Sequence, residues 1–128
     1  MEPLNVRCSG FPILIPSIRN GDWMLYEKFS FWVDDVEYTI PEGFITDFAS
    51  VSGVTALFIL PWGRYGVGSI IHDFCYRTQL FDRKTSDLVF KHVMDIYNTQ
   101  RWRINVIFYS VRLFGWISFN RSKKRLLN

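Results

Sequence analysis

His72 and Asp73 stand side by side in Ile70–Arg77, which reads Ile-Ile-His-Asp-Phe-Cys-Tyr-Arg and is strongly apolar around them. Two titratable groups in such a setting cost free energy unless they have partners or a task. A histidine titrates near neutral pH and can take a proton from water, provided a carboxylate holds its other ring nitrogen. Asp73 is badly placed for that duty, because successive residues on a helix point about 100° apart; it suits a cation ligand or a cap for a neighbouring loop. Two other acids are candidates to reach His72. Asp47 lies in the irregular stretch after Phe44. Asp87 lies on the next helix, and antiparallel neighbouring helices bring early residues of one near late residues of the other. A histidine with one carboxylate behind it and a second beside it suits activation of a water molecule. The same residues also support a structural reading, in which His72 and Asp73 join Tyr76 and Arg77 in a buried hydrogen-bonded network. On the residues alone both readings stand.

Other chemistries find less support. His92 falls in a different helix register from Asp87 and reads as a surface or helix-flank histidine. A zinc centre is disfavoured by a total of two histidines and two cysteines without paired spacing. Gly63, Gly66 and Gly68 do not form a nucleotide loop, since the required strand and Gly-Lys pattern are missing. They can expose backbone N–H and C=O groups beside His72, as a hard divalent cation such as calcium or an oxyanion would use. The simpler role is a tight turn that starts the helix.

The elements that must position these groups divide the chain into halves. Phe11–Pro16 is apolar but bracketed by prolines, which suits a short edge strand or an extended arm within residues 1–20. Asn20-Gly21-Asp22 is a turn signal, and Trp23–Glu27, Phe29–Val33 and Val36–Ile40 read as successive strands of a small antiparallel β-meander. Across the Asp34-Asp35 turn, Phe29, Phe31 and Val33 can oppose Val36, Tyr38 and Ile40. Pro41-Glu42-Gly43 is a further turn, and Thr46, Asp47 and Ser50 suit an irregular loop or a helix cap. Ser52–Leu60 fits a short helix or a lid-like loop equally well.

After that the apolar period becomes helical. Val67, Ile70, Ile71, Phe74 and Cys75 mark one stripe, with His72, Tyr76 and Gln79 on its flank. A second helix is expected from about Arg83 to Asn98, with Asp82 or Thr85 as N-cap. Thr99 can cap a third, in which Trp102, Val106, Leu113 and Trp116 share one side and Ile107, Val111 and Phe114 lie beside them. Ile104–Phe119 is nearly all apolar but short for a span and carries Asn105 and Arg112, which favours a core or interfacial helix over a transmembrane one. The expected class is α+β, one domain over 1–128 with the meander packed against about three C-terminal helices and a basic tail over 120–128.

Composition agrees with a dense globular chain: aromatics are 18% and charged residues 21% of 128 residues. The net charge of +3 is modest, with the excess gathered in Arg101, Arg103, Arg112, Arg121, Lys123, Lys124 and Arg125. Such a C-terminal third can meet an acidic protein surface, anionic lipid or phosphate, or simply form a solvated tail. No nucleic-acid-binding motif accompanies it, so no specific nucleic-acid partner is expected. Cys8 and Cys75 make no disulfide framework, which suits a reducing cytoplasm, and Met1-Glu2-Pro3-Leu4 lacks the pattern of a signal peptide.

Several ordered motifs carry a family resemblance. Ile40–Val51 (Ile-Pro-Glu-Gly-Phe-Ile-Thr-Asp-Phe-Ala-Ser-Val), Pro61–Gly66, His72-Asp73 with Tyr76-Arg77, Arg83 with Asp87, and Val111–Trp116 together resemble the phage and prophage family catalogued as domain of unknown function 1353. Ser52 stands where that family typically has proline. The resemblance implies a bacteriophage origin and no assigned activity. Locally, His72-Asp73-Phe74-Cys75-Tyr76 is similar to the His-Asp-x-Cys-Tyr helix of secretory phospholipase A-two, although the disulfide framework and glycine-rich calcium loop of that family are missing. That similarity implies His72 as the base that activates water, Asp73 as a calcium ligand, and a carboxylate on the antiparallel second helix, at the position of Asp87, as the group that orients the histidine.

Two functions follow as expectations. One is a phage-encoded accessory protein with a hydrolase-like site of His72, Asp87 or Asp47, and Asp73, acting on an ester or lipid-like substrate with a divalent cation. The other is a non-enzymatic virion or assembly component that uses its aromatic surface, arm and basic tail on phage or host proteins. Membrane-surface contact through the basic aromatic C-terminal helix fits either, and the host cytoplasm or the virion is the expected location.

Overall fold

In Phe29–Val33 every second residue is apolar and large, and those residues, Phe29, Phe31 and Val33, are the buried ones. The computed structural model describes residues 4–17, 22–46 and 66–127, and the chain divides into two units, Met1–Asp47 and Phe48–Asn128. In the first unit β1 (Val6–Cys8), β2 (Leu14–Pro16), β3 (Trp23–Leu25), β4 (Phe29–Val33), β5 (Val36–Ile40) and β6 (Ile45–Thr46) form two antiparallel three-stranded sheets, ordered β1-β4-β5 and β2-β3-β6.

The β4–β5 hairpin has the expected register, with Phe29 opposite Ile40, Phe31 opposite Tyr38 and Val33 opposite Val36. Asp34 and Asp35 close it with φ of 50° and 66°, the left-handed pair that a two-residue turn needs to match strand twist. Phe31 and Tyr38 stack at 5.6 Å across it. Although β3 and β4 are neighbours in sequence, they belong to different sheets, because β4 takes β1 on its free side and β3 takes β2 and β6. Of the two forms open to the proline-bracketed segment, the edge strand is the one adopted, as β2. Gly43, at φ 87°, completes the Pro41–Phe44 turn, where the Phe44 amide donates to the Pro41 carbonyl.

The second unit contains α1 (Gly66–Thr78), α2 (Arg83–Ile96) and α3 (Arg101–Leu127), and each helix packs against the other two. The class is thus α+β, with the strands N-terminal and the helices C-terminal. Asp82 caps α2, its Oδ1 accepting from the Thr85 amide at 2.7 Å. Helices α1 and α2 end on Gln79 and Asn98 at φ 54° and 59°. In both, the next amide reaches back five residues, Leu80 to Cys75 and Thr99 to Met94, and so satisfies a last-turn carbonyl. Gly68 lies inside α1 rather than in a turn that opens backbone toward a ligand. A Cβ there would fall 2.8 Å from the Phe90 ring, so the glycine serves close approach of α1 and α2.

The basic segment expected as a tail is helical through Leu127. It has no glycine or proline after Gly115, consists largely of good helix formers, and places cations at the end of the helix that favours them. Trp102, Val106, Leu113 and Trp116 do share one side of α3, but it is the exposed side; Ile104, Ile107, Val111 and Gly115 are the residues turned inward.

Candidate functional site

The antiparallel pairing of α1 and α2 brings His72, on the second turn of α1, against Asp87, on the second turn of α2. His72 Nε2 and Asp87 Oδ1 are 2.8 Å apart, and both side chains are buried. A carboxylate only accepts, so Nε2 carries the hydrogen whether the ring is neutral or protonated; in the neutral ring Nδ1 presents its lone pair. The Tyr76 hydroxyl, one turn after His72, donates to the same Asp87 oxygen at 2.6 Å. Burial, and after it the charge and hydrogen bond of Asp87, push the Tyr76 hydroxyl well above the usual tyrosine range, so it remains a donor.

The other oxygen of Asp87 faces α3. Arg112 Nη1 donates to Oδ2 at 2.7 Å, and Arg83 Nη1 stands 3.7 Å from it. Arg83 also donates to the carbonyls of Val111 and Arg112 at 3.1 and 3.0 Å, which ties the start of α2 to the middle of α3. Asp87 is therefore a buried negative charge enclosed by one imidazole, one phenol and two guanidinium groups, a balance that offsets its desolvation. The imidazole is held between the Tyr76 and Phe90 rings, at centroid distances of 4.1 and 4.7 Å.

His72 Nδ1 is treated differently. It is buried and has no hydrogen-bond partner among the described residues, whereas every other polar group of the cluster is engaged. Leaving a buried donor or acceptor unsatisfied costs roughly 1–3 kcal/mol.

Asp73 points away from His72, as helix geometry requires, and its Oδ2 lies 3.0 Å from Arg77 Nη2 one turn later. Calcium takes six to eight oxygen ligands. The described residues hold no group of three His, Cys, Asp or Glu side chains placed for a metal ion. Asp47, Ser52–Leu60 (expected as a short helix or a lid-like loop) and Gly63 lie outside the described residues. His92 is half-buried on α2, and among the described residues no contact places it with His72.

Three members of the cluster were not assigned to Asp87 from sequence. Tyr76 follows His72 at helical i+4 spacing and Arg83 precedes Asp87 by the same interval, so both shared a face with their partner. Arg112 was the more telling signal, a lone cation within the apolar part of α3. Gly115 is a fourth: a Cβ there would stand 2.6 Å from the Tyr76 hydroxyl, so α3 needs glycine to admit that ring.

Among protein families, residues 23–111 match the model described as Protein of unknown function (DUF1353). No curated protein and no solved structure matches the chain.

Proposed function

We propose, for a chain that belongs to the DUF1353 family of proteins of unknown function, hydrolysis of an ester or lipid-like substrate with His72 as general base. The observation that supports this most is the asymmetry of the His72 ring: Nε2 is fixed on Asp87 while Nδ1, which carries a lone pair in the neutral ring, has no hydrogen-bond partner among the described residues. In the proposed step Nδ1 takes a proton from water, the water oxygen bonds to the carbonyl carbon, and the tetrahedral intermediate expels the alkoxide, which recovers the proton from His72. Asp87 steadies the imidazolium through Nε2–H, and Tyr76 and Arg112 hold Asp87. This is the role distribution that the local likeness to the secretory phospholipase A-two helix implies for His72 and Asp87. A cation on Asp73 would require Arg77 to give way. The absence of a disulfide framework in the sequence supports a reducing setting such as the host cytoplasm of a phage.

A second reading, a non-enzymatic virion or assembly component, is favoured by the 1% exposure of His72. Substitution His72→Gln separates the two, since a glutamine amide can replace Nε2–H toward Asp87 but offers no base. Under the proposal, the protein hydrolyses p-nitrophenyl esters or phosphatidylglycerol above background, and His72→Gln lowers the rate by about 10²–10⁴ with little change in Tm. Assay with and without EDTA reports whether a cation takes part. Absence of hydrolysis by the wild-type chain, or His72→Gln activity equal to wild type, would sink the enzymatic reading.

A further inference from the structure

Helix α3 has two apolar sides. The inner one packs through Ile104, Ile107 and Val111; the outer carries Trp102, Val106, Tyr109, Leu113, Trp116 and Ile117 at i, i+4, i+7, i+11, i+14 and i+15, a stripe along one face. These are exposed side chains, with Tyr109 at 62% and Leu113 at 66%. Over these positions the stripe runs about 24 Å at 1.5 Å per residue, far more contiguous apolar surface than scattered exposed residues present.

The charge around the stripe limits what can cover it. The 27 residues of α3 include no acidic side chain. Arg101, which lies 3.7 Å from Asp95 of α2, and Arg103 flank Trp102 at the start of the stripe, and Arg121, Lys123, Lys124 and Arg125 follow its end. A second copy laid on this face, parallel or antiparallel, would bring cations against cations at both ends. An anionic partner is the complement. The stripe itself offers no ordered set of polar groups of the kind that selects a protein surface. It has tryptophan near each end, Trp102 between Arg101 and Arg103 and Trp116 five residues before Arg121, as suits indole rings at headgroup depth near phosphates. No described helix is long and apolar enough to cross a membrane.

We propose that the outer face of α3 docks on an anionic lipid surface, with the helix lying in the plane of the interface, the stripe in the acyl boundary and the flanking cations on phosphate groups. This requires nothing of His72, so it stands or falls apart from the hydrolytic reading. It does place the lipid on the helix whose other side, through Arg112, holds Asp87.

Flotation of the full chain with vesicles tests the docking. With phosphatidylcholine vesicles containing phosphatidylglycerol the protein is expected to float. With phosphatidylcholine alone it stays in the dense fraction, and added salt weakens the first interaction. Leu113→Glu with Trp116→Glu, and separately Arg121→Gln with Lys123→Gln, Lys124→Gln and Arg125→Gln, each lower vesicle affinity by more than about tenfold. Both sets change exposed side chains, and an unchanged Tm shows that the fold survives. The proposal is overturned if the wild-type chain stays unbound, if both vesicle types bind equally, or if neither folded variant loses affinity. It is equally overturned by light scattering that shows a dimer which Leu113→Glu dissolves, since the face would then belong to a second copy.

Discussion

Asp87 accepts from three side chains on two helices, His72 and Tyr76 of α1 and Arg112 of α3, and lies beside Arg83 on its own helix. A charge so enclosed is safe only while its cations remain. Arg112 is the nearer guanidinium and is about one-third exposed, which softens the penalty of losing it relative to a fully sealed pair. Substitution Arg112→Met keeps the apolar stem and removes the charge, and is expected to cost about 3 kcal/mol in chemical denaturation. Combining it with Asp87→Asn removes the orphaned charge, so the double variant should be more stable than the sum of the single losses by at least about 1 kcal/mol. Strict additivity would show that Asp87 and Arg112 do not depend on one another. The same cycle bears on function, because the site as proposed needs Asp87 held in place and not merely present.

At the scale of elements, the three helices owe their positions to ends and to two glycines more than to the apolar pattern alone. Gly68 lets α1 meet Phe90 and Gly115 lets α3 meet Tyr76. The start of α2 depends on Asp82, whose hydrogen bonds from Thr85, the side chain first and the backbone amide after it, hold its carboxyl below the usual range. A carboxyl with a depressed folded-state pKa binds protons more weakly folded than unfolded, so its stabilisation is present above the unfolded value, about 3.9, and is lost as pH falls through the folded value. Replacement Asp82→Ala is therefore expected to cost about 1 kcal/mol at neutral pH. The gap between the two proteins should shrink as the solution is acidified below about pH 4. A gap that persists unchanged in acid would mean that the cap acts through something other than its charge. Serine at the same place should keep most of the stability and lose the acid dependence.

Across the whole molecule, what could be read from sequence was what period and spacing encode. The Phe29–Ile40 register, Asp82 as one of two candidate caps and Asp87 as one of two carboxylates that could reach His72 are all local or nearly local consequences of residue type. The splitting of the strands into two sheets was not legible, because β1 finds β4 and β6 finds β3 through pairings that short strands do not announce. Nor was the sidedness of α3, since apolar residues on two sides of one helix do not say which side is inward. Arg112 shows the same limit in one residue: it read as an obstacle to membrane insertion, while its partner sits on another helix. The two cysteines offer a separate test of the two units, as each unit contains one. Cys8 on β1 is half-buried, whereas Cys75 on α1 is fully buried and burial pushes its thiol up to about 12. A thiolate is the reactive form, so in native protein Cys75 should resist Ellman's reagent and be modified only when the helices open. Native chains should therefore yield at most one thiol, and the second should appear across the urea transition of the helical unit. Fast modification of Cys75 without denaturant would mean that the helices, with His72 one turn before it, open readily in the native state.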